Sequence, residues 1–581
     1  MTKGTRDVDA TDNKMGGNNA RSLWRQALRG LGGPLIALVL FSGLINVLAL
    51  TGALYMLQVY DRVLTSHSVP TLLALSLLAV ALYVCYGAFD VLRAQMLARL
   101  GLAIDDRLTP LAHRAAMLLP VHHASHVEAA QPLRDAQTIS RFCVSNAPIA
   151  VLDLPWIPLF LGFVFLLHPL LGLIATLGTV LLIIFTWVTE LLTGPLQRAT
   201  SGASNARSQV VDAHVRNAET LNAMGMVENA ATRYDHANAS HLKAHLRTSD
   251  ITGGFSSVSK VFRLMLQSAL LGFGAYLALH GQLTAGAIIA ASIAASRALA
   301  PVELAIGHWK SFVAARQSAG TLFASIKSVP AQSEPLELPA PYKSLQLEDV
   351  SMTAPITERP ILTGVSFKLN AGQGLGVIGP SAVGKSTLAK AITNVWPLAD
   401  GHVRLDGASL QHWSRERLGR HIGYLPQHVE LFEGTIAENI ARLDASPDAE
   451  AVIAAARAAG VHEMVLSQPD GYETQIGPHG NVLSAGQRQR IGLARALYGN
   501  PFLVVLDEPN SNLDAEGEAA LTSAIRNVRQ RKGIVVIITH RTSALAAVDQ
   551  LAVLQNGKLA AFGPKEQLLR NASKPKLVSA A

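Results

Sequence analysis

Gly379-Pro380-Ser381-Ala382-Val383-Gly384-Lys385-Ser386-Thr387 decides how the C-terminal half of this 581-residue chain is read. The apolar segment Gly374-Leu375-Gly376-Val377-Ile378 leads into it, and a helical pattern comes after it. A G-x-x-x-x-G-K-[ST] spacing between a strand and a helix describes a phosphate-binding loop. Its glycines let backbone N–H groups wrap phosphates, and the helix behind it adds the partial positive charge of its N-terminus. Lys385 is placed to reach the β- and γ-phosphates of a nucleotide, and the Ser386 hydroxyl to ligate Mg²⁺.

Downstream, Phe502-Leu503-Val504-Val505-Leu506 is a continuous apolar run ending in Asp507-Glu508. That is the pattern of a parallel strand covered on both faces. Asp507 at its end is suited to hold Mg²⁺ through water, and Glu508 to polarise an attacking water. A second apolar run, Gly533 to Ile538, ends at Thr539-His540. Between the two, Leu483-Ser484-Ala485-Gly486-Gln487-Arg488-Gln489-Arg490 opens a helix that continues through Ile491 to Leu497. A small-residue turn at a helix N-terminus is a second phosphate-binding device. One loop binds one nucleotide, so the second device is expected to serve the nucleotide of a neighbouring copy.

Further out, toward the N-terminus, the composition changes. Only 15% of the chain is charged, against roughly 25% in ordinary soluble domains, and mean hydropathy is +0.28. The deficit is local: no Asp, Glu, Lys or Arg occurs in 30–60, 63–89, 154–189 or 264–296. A membrane-crossing helix needs about 20 apolar residues. Breaks at His168-Pro169 and His280-Gly281 then give six spans, about 34–60, 70–89, 147–167, 170–190, 262–279 and 284–304. Lys and Arg collect in the N-terminal tail and in 91–146 and 191–261, while the opposite turns hold Arg62 alone. The bias places both termini in the cytoplasm.

The same bias accounts for the net charge of +8, and no dense basic run with interleaved aromatics points to nucleic acid. A disordered polyelectrolyte is excluded by the 49% hydrophobic content. A disulfide scaffold is excluded because Cys85 and Cys143 are the only cysteines, and both read as packing residues. Residues 1–33 read as a flexible tail, 34–328 as the membrane domain, and 329–343, with Pro330, Pro335, Pro339 and Pro341, as a linker. Residues 344–570 read as the nucleotide domain and 571–581 as a tail.

Together these stretches resemble an ATP-binding-cassette exporter half-transporter. The resemblance implies a membrane all-α six-helix exporter domain of the type I ABC exporter fold, followed by an α/β P-loop ABC nucleotide-binding domain. It also implies a homodimer with composite sites for ATP and Mg²⁺. By it, Gln427 in Tyr424-Leu425-Pro426-Gln427 is the glutamine that senses Mg²⁺ and the attacking water. Ser484, Gly486 and Gln487 are the residues that meet the γ-phosphate across the dimer interface. Glu508 is the catalytic base, His540 the switch histidine, and Ser511-Asn512-Leu513-Asp514 the D-loop. Three positions depart from the family. Ala485 stands where Gly is usual, Gly477-Pro478-His479-Gly480 lacks an acidic residue, and Ala354 falls where an adenine-stacking aromatic stands, with Tyr342 well upstream.

The membrane half resembles one branch. Leu54-Tyr55-Met56-Leu57-Gln58-Val59-Tyr60-Asp61-Arg62-Val63-Leu64, Thr71-Leu72-Leu73-Ala74-Leu75, Asp153-Leu154-Pro155-Trp156-Ile157-Pro158-Leu159-Phe160 and His168-Pro169 are similar to type I secretion ATPases of the alkaline-protease and lipase exporter branch. That similarity implies residence in a bacterial inner membrane and export of an unfolded polypeptide with a C-terminal signal. The implied partners are a periplasmic adaptor (membrane fusion protein) and an outer-membrane channel. Export of lipid or small amphiphiles on the same engine is the alternative. With 33 residues ahead of the first span, neither the cysteine-peptidase domain of bacteriocin exporters nor the haemolysin translocator's inactive version is expected. Pro155 and Pro158 are expected to bend their helix. Asp153, Arg297 and Glu303 are expensive in lipid. They mark either a polar vestibule or helix ends in the headgroup layer.

Overall fold

The computed structural model describes residues 29–30, 32–122, 130–328, 338–354, 359–477, 480 and 482–573. Nearly all of the expected N-terminal tail, linker residues 329–337, Pro478, His479 and residues 574–581 lie outside the described residues. The chain forms two compact units that divide at Pro330 and Ala331.

In the first unit six helices are long and apolar enough to cross a membrane: Gly32–Ser66, Val69–Leu119, Ala147–Leu167, Pro169–Arg216, Val227–Leu279 and Ala285–Gly307. Each contains one of the apolar stretches, because a chain in lipid can satisfy its own N–H and C=O groups only by closing into helices or barrels. Three helices run far beyond those stretches. Val69–His122, Pro169–Arg216 and Val227–Leu279 hold 54, 48 and 53 residues. They are thus roughly 70–80 Å long, more than twice a hydrocarbon core of about 30 Å.

Local sequence places the joints. His168 is extended (φ −162°), and its Nδ1 accepts the Leu170 N–H at 3.2 Å, with Pro169 filling the first helical position. At Leu154–Trp156 the α-helix gives way to a 3₁₀ turn between Ala147–Asp153 and Ile157–Leu167, at Pro155 and Pro158. Ala290, Ala291, Ala294, Ala295 and Ala298 are buried on one face of Ala285–Gly307, where small side chains let helices approach closely.

Two acidic side chains of the bundle, Asp153 and Glu303, are each paired with an arginine. Arg93, 5% exposed, donates to both Asp153 oxygens at 3.0 and 3.2 Å and to Asp90 Oδ1 at 2.7 Å. Asp153 also accepts from Asn46 Nδ2 at 2.8 Å and from the buried Ser42 hydroxyl. Three helices therefore meet at one satisfied carboxylate. Glu303 pairs with Arg263 at 2.7 Å, whereas Arg297 is exposed.

The second unit carries two sheets. A four-stranded antiparallel sheet, ordered β2-β1-β4-β5, joins β1 (Ser344–Thr353), β2 (Pro360–Asn370), β4 (Asp400–Leu405) and β5 (Ala408–Ser409). The other is ordered β10-β9-β3-β8-β7-β6. It holds β3 (Gly374–Ile378), β6 (Ile422–Leu425), β7 (Leu503–Asp507), β8 (Ile534–Ile538), β9 (Gln550–Gln555) and β10 (Lys558–Pro564). All its pairings are parallel except β9 with β10. Every residue of β7 and β8 is buried, as expected for continuous apolar runs with both faces covered. A second core packs the helices Ile436–Ile440, Ala449–Ala458 and Ala485–Leu497 over that sheet.

Replacing Arg93 by Leu leaves Asp153 buried without its counter-charge. It is expected to cost about 3–5 kcal/mol, most of it recovered when Asp153→Leu is added. Thermal unfolding of the detergent-solubilised chain measures both.

Candidate nucleotide site

The phosphate loop leaves the C-terminal end of β3, between β8 and β9. Two of its glycines are required by contact. A Cβ on Gly379 would lie 2.4 Å from the Leu554 carbonyl oxygen. Gly384 has φ +97°, and a Cβ there would meet Leu362 at 2.9 Å and Ile361 at 3.0 Å. The helix Lys385–Ile392 begins directly after it. Pro380, Ser381 and Ala382 form the exposed rim, Val383 is half-buried, and Thr387 is buried in the first helical turn. The Lys385 ammonium hooks back over the loop, donating to the carbonyls of Gly379 at 2.9 Å and Pro380 at 2.7 Å. Burial pushes its pKa below the usual lysine value, and Glu508 and Asp507 oppose the shift.

Parallel register sets the carboxylates opposite this loop. β7 pairs with β8 so that Asp507 lies beside Ile538. Asp507 is 2% exposed, with the Ser386 hydroxyl beside its carboxylate. Burial raises its pKa above the ordinary range, against the opposing effects of Ser386, Lys390 and Lys385. One oxygen, Oδ1, is buried without a partner. A buried carboxylate oxygen left unpaired beside a hydroxyl is a donor set for a hard divalent cation, so the residues fit Mg²⁺.

Glu508 turns sharply out of the strand at φ 49°, with its N–H held by the Ile538 carbonyl at 2.9 Å. Its Oε2 accepts from Gln427 Nε2 at 3.1 Å, and its Oε1 lies 3.6 Å from His540 Nε2. Gln427 stands two residues beyond β6 and His540 two beyond β8. The ends of β6 and β8 thus aim side chains at the carboxylate that follows β7, as ligand sites of open parallel sheets do.

The Ser484 turn is built differently. Ser484 caps the helix Ala485–Leu497: its Oγ accepts from Gln487 N at 3.3 Å, and Gln487 Oε1 accepts from Ser484 N at 2.8 Å. This reciprocal box pre-forms the turn. Ser484 and Ala485 are exposed. A Cβ on Gly486 would lie 2.8 Å from the Asn512 carbonyl oxygen. Among the described residues, no hydrogen bond joins Ser484–Gln487 to the loop Gly379–Thr387.

Two family models match this chain. One, described as ABC transporter, covers residues 362–511, and the other, ABC transporter transmembrane region, covers 35–298. The chain belongs to the ABC transporter family. It is a half-transporter, with one membrane region and one ATPase domain, and it couples ATP hydrolysis to transport. The type I secretion system ATP-binding protein PrsD of Rhizobium meliloti (strain 1021) is 47% identical over 552 residues, covering 95% of each chain. An ATP-dependent lipid A-core flippase of Chromobacterium violaceum is 32% identical over 368 residues, 62% of each chain. A solved structure of a bacterial Atm1-family ABC exporter with ATP bound shares the fold. Its TM-score is 0.80 at 23% identity, over 94% of this chain and 97% of that one.

One residue of this half-transporter's site carries no motif signal of its own in the sequence. Gln489 is 2% exposed. Its Nε2 donates to the Glu508 carbonyl at 3.2 Å and to Ser511 Oγ at 3.3 Å, and its Oε1 accepts the Asn512 N–H at 2.9 Å. Arg490 reaches Asp514 at 2.5 Å, and Asp514 caps the helix Ala515–Gln530 through Gly517 N. The helix behind Ser484 and the loop behind Glu508 are therefore hydrogen-bonded into one piece. The one available hint is an amide four residues before Leu493, on the inward face of a helix. Ala354 contributes only a backbone N–H, bonded to the Arg359 carbonyl at 2.8 Å. The Tyr342 ring lies 5.0 Å under the Lys343 ammonium.

Gln489→Met keeps the volume and removes all three hydrogen bonds. It is expected to lower kcat for ATP hydrolysis roughly 10- to 100-fold by misplacing Glu508, with nucleotide affinity unchanged. Steady-state hydrolysis and equilibrium nucleotide binding separate the two.

Proposed function

We propose that this ABC half-transporter is the ATP-driven inner-membrane component of a bacterial type I secretion system. It moves an unfolded polypeptide with a C-terminal signal out of the cell. The observation that carries the reading is the likeness to a type I secretion ATP-binding protein across both units, 95% of each chain. Likeness to the lipid A-core flippase stops at 62%. The working partners are a periplasmic adaptor and an outer-membrane channel. Both termini lie in the cytoplasm, on the side of the Lys- and Arg-rich connections. The six spans lie in the lipid of the inner membrane.

The protein works as a homodimer with two composite sites. The loop Gly379–Thr387 of one copy binds the ATP phosphates, and Lys385 exchanges its carbonyl partners for phosphate oxygens. Ser386, Asp507 and Gln427 are the residues that would hold Mg²⁺, which when bound offsets charge on the β- and γ-phosphates. Glu508 accepts a proton from the attacking water as catalytic base, while Gln427 and His540 orient its carboxylate. The exposed Ser484–Gln487 turn of the second copy closes over the γ-phosphate. Closure moves the membrane helices, and hydrolysis releases it.

Composite sites predict an asymmetry between mixed dimers. Lys385→Ala and Ser484→Arg on opposite chains disable the same site and leave one intact, so about half the hydrolysis survives. Both substitutions on a single chain disable both sites and abolish it. Equal rates for the two arrangements would exclude the shared site. For export itself, deletion of the gene is expected to remove particular proteins from the culture medium, and Glu508→Gln to do the same while retaining ATP binding. An unchanged set of secreted proteins with an altered lipid distribution would favour the lipid exporter.

A further inference from the structure

The motif Leu54–Leu64 takes no part in nucleotide chemistry, yet its backbone breaks regular α-helical form. Between the helical segments Thr51–Gln58 and Leu64–Ser66 the helix widens into a π turn over Val59–Val63. A π turn inserts one residue and rotates the succeeding side chains by roughly 100° about the axis. Such turns are rare and occur frequently at functional positions.

Asp61 sits in that turn, and its carboxylate reaches the start of the helix Ala285–Gly307. Oδ2 accepts the Thr284 hydroxyl at 2.6 Å, and Oδ1 accepts the Gly286 N–H at 2.9 Å. Thr284 is itself the cap of that helix, its Oγ1 accepting the Ala287 N–H at 3.2 Å. A negative charge therefore faces free N–H groups and the positive end of a helix dipole. Gly286 makes the approach possible. A Cβ there would lie 2.6 Å from Asp61 Oδ1 and 2.8 Å from the Leu57 carbonyl oxygen.

Asp61 lies near the C-terminal end of the first apolar helix, and Thr284 lies between the fifth and sixth. Counting crossings puts both at the same membrane face, the one reached after an odd number of spans. Deeper in the bundle, Ala53 and Leu57 belong to the same apolar cluster as Ala290 and Ala294, so the two helices need no charge to pack. The Asp61–Thr284 bond is exposed, and hydrogen bonds at a wet rim exchange for water at small net cost. The contact is thus strong in geometry and cheap to break.

We propose that Asp61 is a positioning residue for transport. It forms an outer latch that closes the first helix on the sixth and releases in each cycle. The test uses the full chain in lipid nanodiscs with Cys85→Ala and Cys143→Ala. Asp61→Cys and Thr284→Cys are then bridged by a short bis-methanethiosulfonate reagent. Bridging is expected to lower ATP turnover about fivefold or more, with ATP binding retained and turnover restored by reductant. A bridged protein that hydrolyses ATP at the unbridged rate, or a pair that does not bridge at all, would overturn the latch. Should the pair misfold, Ala287→Cys reports the same motion from a residue that is 5% exposed. Its maleimide labelling is expected to quicken roughly tenfold during turnover, and equal rates with and without ATP would count against the proposal.

Discussion

The hydrogen bond from the Glu508 N–H to the Ile538 carbonyl, at 2.9 Å, extends the parallel pairing of β7 and β8 one residue beyond the last strand pair. Much of the site depends on it. It forces Glu508 into a left-handed turn, so the carboxylate leaves the sheet where the ends of β6 and β8 bring Gln427 and His540. Asp507, one residue earlier, stays inside the sheet and meets Ser386. Two adjacent carboxylates thereby receive opposite surroundings. One is buried with an unpaired oxygen suited to a cation, and the other is half-exposed among proton-handling and amide groups.

The membrane unit solves a different problem with similar means. Lipid penalises unpaired polar groups, and Asp153 and Glu303 are each matched by an arginine within the bundle. Arg93 reaches both Asp153 oxygens through Nη1 and takes Asp90 through Nη2, while Ser42 and Asn46 donate to Asp153 Oδ1. This cluster favours neither a bare polar vestibule nor a helix end dissolved in headgroups. Asp153, on the third helix, is the shared acceptor for donors from the first two. Removing Arg93 alone would leave the Asp153 charge stranded, which is costlier than never having placed it there.

Much of this was legible in the primary structure. A phosphate loop needs glycines at set positions because a Cβ would strike neighbouring backbone, and Gly379 meets that condition against Leu554. Apolar runs ending in Asp507-Glu508 and Thr539-His540 revealed buried strands, because continuous burial admits no alternation. Gln489 escaped notice for a physical reason. A lone amide in a polar motif looks like a surface residue, and its three partners are brought to it only by the fold. The pairing of Asp153 with Arg93 was hidden likewise, since 60 residues separate the two along the chain.

The charge-poor windows, the turns and the loop motif are local properties, set by side-chain chemistry and short-range sterics. From them the sequence by itself determined that a six-helix membrane half precedes a P-loop ATPase half, and where the Gly379–Thr387 loop lies between strand and helix. The tertiary structure alone decided which carboxylate stays unpaired, which amide joins the Ser484 turn to Glu508, and that a π turn carries Asp61 to the start of another helix. These are contacts across tens to hundreds of residues. Their geometry depends on strand register and helix phase, and a shift of a single residue in either would undo them.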